Sequence, residues 1–366
     1  MSGSTFGTIF KITTWGESHG KALGVIIDGC PSGLPLCEAD IQTFLDRRKP
    51  GQNKYTTKRL ETDTVEILSG VFCGRTTGTP ISMMIKNKDH HSTDYSNLSS
   101  VFRPGHADYT YQEKYGFRDF RGGGRSSGRE TAGRVAAGAV AIKILKEMGI
   151  QFVTYVKSIG PYSISEADYH YNEISENDFY MPNNHTAQLV SSYLDNCMKH
   201  SDSSGGIIEC RIQNLPSGLG EPVFDKLDAS LAKAIFSIGA VKGFEIGKGF
   251  ASSLLKGSEN NDEFYVHKNN TIKKYTNNCG GILGGISDGD ELVFRAAIKP
   301  TPSIFMEQHT VTETNENMTL QIHGRHDPVI APRAVVVVES MAALTILDML
   351  LLNMSSRMEK IIDFYK

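Results

Sequence analysis

From Ala334 to Leu352 the chain carries its longest apolar stretch, with Glu339, Ser340 and Asp348 set inside it. A helix of this length and character must be shielded from water almost all round, by a bilayer or by protein. Ionisable residues are costly inside a bilayer. The stretch therefore reads as a helix buried in the protein or against another subunit, not as a membrane span. Of the 366 residues, 39% are hydrophobic, enough for a sizeable core at this length.

The remaining elements alternate without a regular βαβ rhythm. Thr8–Thr14 and Leu23–Asp28 predict strands on either side of GESHG at Gly16–Gly20. Glu38–Arg47 predicts a helix stopped by Pro50 and Gly51. Val65–Phe72 and Pro80–Lys86 predict two more strands. The long polar loop from Asn87 to about Arg121 carries Tyr95, Phe102, Tyr109, Tyr111, Tyr115, Phe117 and Phe120, which marks it as functional rather than disordered. Ser127–Met148 predicts a helix opened by an S-x-x-E capping box at Ser127 and Glu130 and closed by Gly149. Tyr162–Asn184 reads as surface helices and loops, Gly205–Asn214 as a strand and Asp225–Ser237 as a helix. Glu291–Ile298 is expected to pair with Gly281–Ile286 across Asp288-Gly289 as a hairpin. Together these predict an α+β fold. With no internal repeat and no linker, residues 1–366 are expected to form a single domain.

The net charge of -3 excludes a globally basic nucleic-acid binder. Six cysteines stand without a C-x-x-C pair, which argues against a zinc ribbon or redox dithiol, and no metal site is expected. The N-terminus lacks the charged and apolar regions of a signal peptide, so reduced thiols and a cytoplasmic location are expected. Any anion site must be a local cluster, and two exist. Arg47, Arg48, Lys49, Lys54, Lys58 and Arg59 form one; Arg103, Arg118, Arg121, Arg125, Arg129 and Arg134 form the other. RGGGRSSGRE places glycines before a helix start, where free N–H groups and the dipole receive phosphate. Arg129 in the first turn opposes that dipole unless an anion lies there.

His19 in GESHG and His106 in FRPGHADYTY are flanked by glycines, as expected of exposed rings approached closely by a ligand; the other histidines outside GRHDP read as ordinary surface or core residues. GFEIGKG at Gly243–Gly249 fails as a P-loop, and GKGFAS fails the dinucleotide pattern. NNCGGILGGIS and the KPTPS segment Lys299–Ser303 suit a flat ring and a phosphate instead. GRHDP at Gly324–Pro328 brings Arg325, His326 and Asp327 together, either as a structural ion pair or as an acid–base group.

These motifs, in order, resemble the chorismate synthase family: GESHG, DRRKPGQ at Asp46–Gln52, FRPGHADYTYQEKYG at Phe102–Gly116, RGGGRSSGRETAGRVAAGA at Arg121–Ala139, AVKGFEIG at Ala240–Gly247, GGILGGIS at Gly280–Ser287, KPTPS and GRHDP. The resemblance runs from Gly7 to at least Leu350. It implies a β-α-β sandwich with helices packed between antiparallel sheets, usually a homotetramer. It also implies an anti 1,4-elimination of phosphate from 5-enolpyruvylshikimate 3-phosphate, giving chorismate on the route to aromatic amino acids. Reduced FMN is required, with no net redox change. By the same resemblance His19 protonates the departing phosphate, His106 holds or protonates the reduced ring, and Asp327 assists flavin N5 as a base. Arg48, Arg103 and Arg129 look like substrate-anion clamps, and Lys54 stands at a substrate- or NADP-binding position where many members have Arg. FMN contacts carry over to Arg125, Ser126, Ser127, Gly239, Ala240, Gly284, Lys299, Pro300, Thr301, Pro302, Ser303 and Arg325. Gly239 replaces the Asn or Pro of some members and Gly128 a common Ala. The compact bacterial type usually draws reduced flavin from an external reductase, while some members reduce it themselves with NADPH. The competing readings are a flavin oxidoreductase with net redox chemistry and a non-catalytic anion- or RNA-binding protein.

Overall fold

The computed structural model describes residues 3–56, 61–87, 98–268, 270–322 and 327–366. In chain order its first strands are β1 (Thr5–Phe6), β2 (Lys11–Gly16), β3 (Ala22–Asp28), β4 (Val65–Ile67), β5 (Val71–Phe72), β6 (Arg75–Thr76), β7 (Ile81–Lys86), β8 (Gln151–Ile159) and β9 (Tyr162–Ser163). There follow β10 (Gly206–Gln213), β11 (Val241–Ile246), β12 (Phe264–Val266), β13 (Ile272–Lys274), β14 (Ile282–Leu283), β15 (Ile286–Ser287), β16 (Leu292–Ile298), β17 (Glu307–Val311) and β18 (Asn317–Gln321). The helices are α1 (Glu38–Arg48), α2 (Asp108–Tyr115), α3 (Thr131–Glu147), α4 (Asn184–Lys199), α5 (Leu227–Phe236), α6 (Gly257–Asn260), α7 (Ala331–Asn353) and α8 (Met358–Tyr365).

Two five-stranded antiparallel sheets, ordered β1-β2-β3-β7-β4 and β11-β16-β10-β8-β9, enclose the long helices. Period-two burial sets their inner faces. Leu23, Val25 and Ile27 of β3 are buried with Ile81, Met83 and Ile85 of β7, while Ile26 stays exposed. On the second sheet Ile208, Cys210 and Ile212 of β10 and Leu292, Phe294 and Ala296 of β16 do the same. Helix α3 packs on β2, β3 and β7, and α7 on β8 and β10; the two helices pack on each other, with α1 and α5 alongside. Small residues allow this depth. A Cβ on Gly133 would lie 2.9 Å from the Gly24 carbonyl oxygen, and one on Gly138 would collide with Ser340. One continuous core cluster joins residues of both sheets.

The apolar stretch is α7, enclosed by this chain's own elements rather than by another subunit. Its two carboxylates are satisfied there. Glu339 receives Arg47 of α1 at 2.8 and 3.0 Å, and Asp348 accepts the N–H groups of Thr8, Ile9 and Phe10 at 2.7–3.0 Å. A buried charge with such partners is tolerated in a protein interior.

Three local expectations are corrected. The hairpin turns at Gly284-Gly285, with φ of +61° and +87°, so β14 pairs with β15 and β16 is left to pair with β10 and β11. Two consecutive glycines at positive φ outcompete Asp-Gly for the tight turn. The capping box at Ser127 does not form either. Ser127 accepts from Arg129 N at 3.3 Å, while Glu130 turns away to Thr14 and Arg134, both at 2.8 Å, so a 3-10 turn precedes α3. Helices α2 and α4 were not foreseen; α2 is polar, with only Asp108 buried, whereas α4 buries a stripe of Ala187, Val190 and Leu194 at helical spacing that the sequence reading passed over.

Candidate active site

A cavity of about 1660 Å³ opens at one end of the helical layer. Its walls are the C-terminus of α1, the turn before α3, the loop entering α2, the end of α5, the segment after β16 and the start of α7. Among the described residues ten cationic side chains line it, against three carboxylates, Glu61, Glu130 and Asp327. In a chain of net charge -3 this is a strong local excess, and such a field draws in and orients polyanions.

Two of the cations are organised by one carboxylate. Asp63, buried and at φ +47°, accepts Arg48 and Arg129 at 2.6 Å each. Arg129 also donates to Asn87 at 2.5 Å and to Glu61 at 3.3 Å. The anion facing Arg129 at the helix start is thus a protein carboxylate. Burial works to raise the Asp63 carboxyl, but the two guanidinium charges outweigh it and hold it at about 2. Arg48 Nε has no hydrogen-bond partner among the described residues although it is buried.

The loop entering α2 meets the segment after β16. Lys299 Nζ donates to the Gly105 carbonyl at 2.5 Å, and a Cβ on Gly105 would stand 3.1 Å from Pro302. Burial and the charge of Lys242 push the Lys299 ammonium below its ordinary value. Thr301 Oγ1 is buried with no partner among the described residues. Arg103 is clamped by Asp108 at 2.7 and 2.8 Å, and His106 Nδ1 lies 3.0 Å from the same carboxylate. Asp327 accepts Arg333 of α7 at 2.5 Å, and Arg333 also donates to the Arg48 carbonyl at 3.0 Å.

The structure brings Arg48, Arg103, His106, Arg125, Ser126, Ser127, Arg129, Gly239, Ala240, Lys299, Thr301, Pro302, Ser303 and Asp327 to this cavity. Pro300 belongs to the same segment without lining it. His19, expected as an exposed ring, is instead buried one layer back, its Nδ1 3.1 Å from Ser18 Oγ; Gly122, which does line the cavity, lies so close to the ring that any Cβ there would collide with it. Lys54 is exposed and pairs with Asp195 at 2.9 Å, outside the lining. Gly284 sits in the β14-β15 turn, also outside it. Arg118 and Arg121 do not line the cavity: Arg118 is buried against the carbonyls of Leu98, Ser99 and Val101, near Asp108, and Arg121 pairs with Asp119. Arg325, Lys58 and Arg59 lie outside the described residues. Sequence reading passed over Asp63 and Arg333, which stand in no motif and act on residues 66 and 285 positions away, and over Asp108, which stands inside FRPGHADYTYQEKYG but was given no role.

A family model described as chorismate synthase matches residues 10–351. A chorismate synthase of Agathobacter rectalis is 62% identical over 366 residues, covering 100% of both chains. One of Lachnoclostridium phytofermentans is 63% identical over 369 residues with the same coverage. A solved crystal structure of chorismate synthase matches with a TM-score of 0.77 at 32% identity, over 98% of this chain and 97% of that one. The sandwich, the cation-lined cavity and these likenesses define the chain as a carbon–oxygen lyase. It belongs to the chorismate synthase family.

Proposed function

We propose that the cavity takes 5-enolpyruvylshikimate 3-phosphate together with reduced FMN and eliminates phosphate to give chorismate, with the whole chain acting as one catalytic domain. The observation that carries this is the ten-to-three excess of cations over carboxylates in a cavity larger than the ~300–1,000 Å³ of a single small-ligand site. A phosphate and two carboxylates on the substrate match that excess, and the spare volume suits a second, flat ligand.

The residues fit FMN. The buried, unpartnered Thr301 Oγ1, Lys299 and Ser303 offer a phosphate a donor set, and Arg125, Ser126 and Ser127 face the cavity from the glycine-led turn. When bound, the reduced flavin supplies electron density to the eliminating substrate without being consumed. Arg48, Arg103 and Arg129 bind the substrate's anions by charge-assisted hydrogen bonds. Arg48 and Arg129 are already aimed by Asp63, so little side-chain entropy remains to be lost on binding. His19, behind Gly122, protonates the departing phosphate; His106 holds the reduced ring through a ring nitrogen; Asp327, oriented by Arg333, is the proton-accepting carboxylate. Lys54, Gly284 and Arg325 stay assigned by resemblance alone.

The test is an anaerobic assay with reduced FMN. Phosphate release without net consumption of reductant is expected; stoichiometric consumption would make the chain a flavin oxidoreductase instead. Turnover with NADPH and oxidised FMN shows that the chain reduces its own flavin; turnover with reduced FMN alone assigns that task to an external reductase. Lys299→Ala is expected to weaken FMN binding about tenfold or more, since a charge-assisted hydrogen bond contributes roughly 1.5–3 kcal/mol; fluorescence titration with unchanged affinity would refute that placement.

The reading extends to a cytoplasmic homotetramer. Burial of α7 removes that helix as a reason for assembly; Phe224, Phe250 and Leu254, 91%, 80% and 86% exposed, are the apolar side chains that a subunit contact would cover. Sedimentation equilibrium at micromolar concentration should return the tetramer mass; a monomer would end the idea.

A further inference from the structure

We infer that Asp108 is the positioning residue of this site: one buried carboxylate fixes the tautomer of His106 and the reach of Arg103 together. The inference rests on the role given above to His106.

Asp108 is the first residue of α2 and is 3% exposed. Its Oδ2 accepts the Arg103 backbone N–H at 3.1 Å and Nε at 2.7 Å. Its Oδ1 accepts Arg103 Nη2 at 2.8 Å and faces His106 Nδ1 at 3.0 Å, with Arg118 Nη1 at 3.8 Å behind it. An ionised carboxylate only accepts. Burial would raise the Asp108 carboxyl, but hydrogen bonds from Arg103 and His106 override it and hold it well below the usual carboxylate range. His106 Nδ1 must therefore carry the proton. Nε2 is the ring nitrogen left to meet a ligand, in the manner of any histidine whose other nitrogen is held by a carboxylate.

The surroundings keep this arrangement in place. Across the ring stands Gly123 at φ +89°; a Cβ there would lie 2.8 Å from His106 Cε1 and 3.2 Å from Nε2. On the other side of His106 the Gly105 carbonyl takes the Lys299 ammonium. Asparagine cannot replace Asp108 without conflict. One amide orientation turns N–H groups toward His106 and Arg103 Nη2; the other turns them toward Arg103 N and Nε.

Nitrogen NMR of the full-length, ¹⁵N-histidine-labelled protein tests this, with His106 assigned by its loss in His106→Gln. In the unsubstituted protein the neutral His106 ring should show the Nδ1–H tautomer; an Nε2–H ring overturns the inference whether or not any variant folds. Asp108→Asn should lose that signature and lower kcat by about 100-fold, the order of loss when a positioned group of an active site is misplaced. A variant that keeps both the tautomer and wild-type kcat overturns the inference as well. Full turnover in His106→Gln would instead overturn the reading of His106 itself, a failure that the tautomer measurement tells apart from a failure of Asp108.

Discussion

Asp327→Asn is expected to lower turnover by roughly a hundred- to ten-thousandfold while the protein folds and still binds reduced FMN. Asp327 lines the cavity and is 8% exposed, and Arg333 holds it from α7. Asparagine keeps the shape and can still accept from Arg333, so what is lost is the negative charge of the pair and, with it, proton acceptance. The measurement is kcat at saturating reduced FMN beside a denaturation curve. Near wild-type kcat with reduced stability would make Asp327 a structural partner of Arg333. His19→Ala should slow turnover by a similar factor; unchanged kcat there would leave its ring a packing element behind Gly122. Arg48→Ala should instead raise KM, because its task is binding an anion.

Asp63→Asn should destabilise the fold by about 3–5 kcal/mol, the usual cost of removing one partner from a buried ion cluster. Asparagine tolerates the positive φ that Asp63 adopts, so the backbone stays unstrained while the charge and one of the two acceptor oxygens are lost. Two buried guanidinium groups, Arg48 and Arg129, would lose their shared counter-ion. The pH dependence has a definite sign. The folded carboxyl is held at about 2 against an ordinary 3.8, so its stabilisation is present above about pH 4 and drains away as pH falls through 2. Urea midpoints measured from pH 7 to pH 3 should show a shallower acid decline in the variant. Equal midpoints for the two proteins at pH 7 would mean that the arginines find other counter-ions and that Asp63 does not organise them.

The elements legible in the sequence were those whose signal is local. Period-two apolar runs marked β3 and β7; an alanine-rich stretch ended by Gly149 marked α3; an apolar run longer than any surface helix marked α7. Motif residues such as Arg103, His106 and Lys299 were legible because glycine and proline leave a mark on the chain wherever a backbone must turn or come close. Other features depended on competition between segments. Whether Asp288-Gly289 or Gly284-Gly285 makes the turn was decided by β16 finding β10 and β11 on its two sides. Glu130 left its capping position because Thr14 and Arg134 offered it better partners. Asp63 and Arg333 stand in no motif, and their function exists only because folding brings them to Arg48, Arg129 and Asp327. The sequence by itself determined the runs that became β3, β7, β10 and β16, the buried helix and the family of the chain, while β8 and β11 of the second sheet carried no strand reading. Which carboxylate holds which arginine was decided only by the tertiary structure, since an ion pair in a low-dielectric interior forms by distance in space, and nothing along the chain records it.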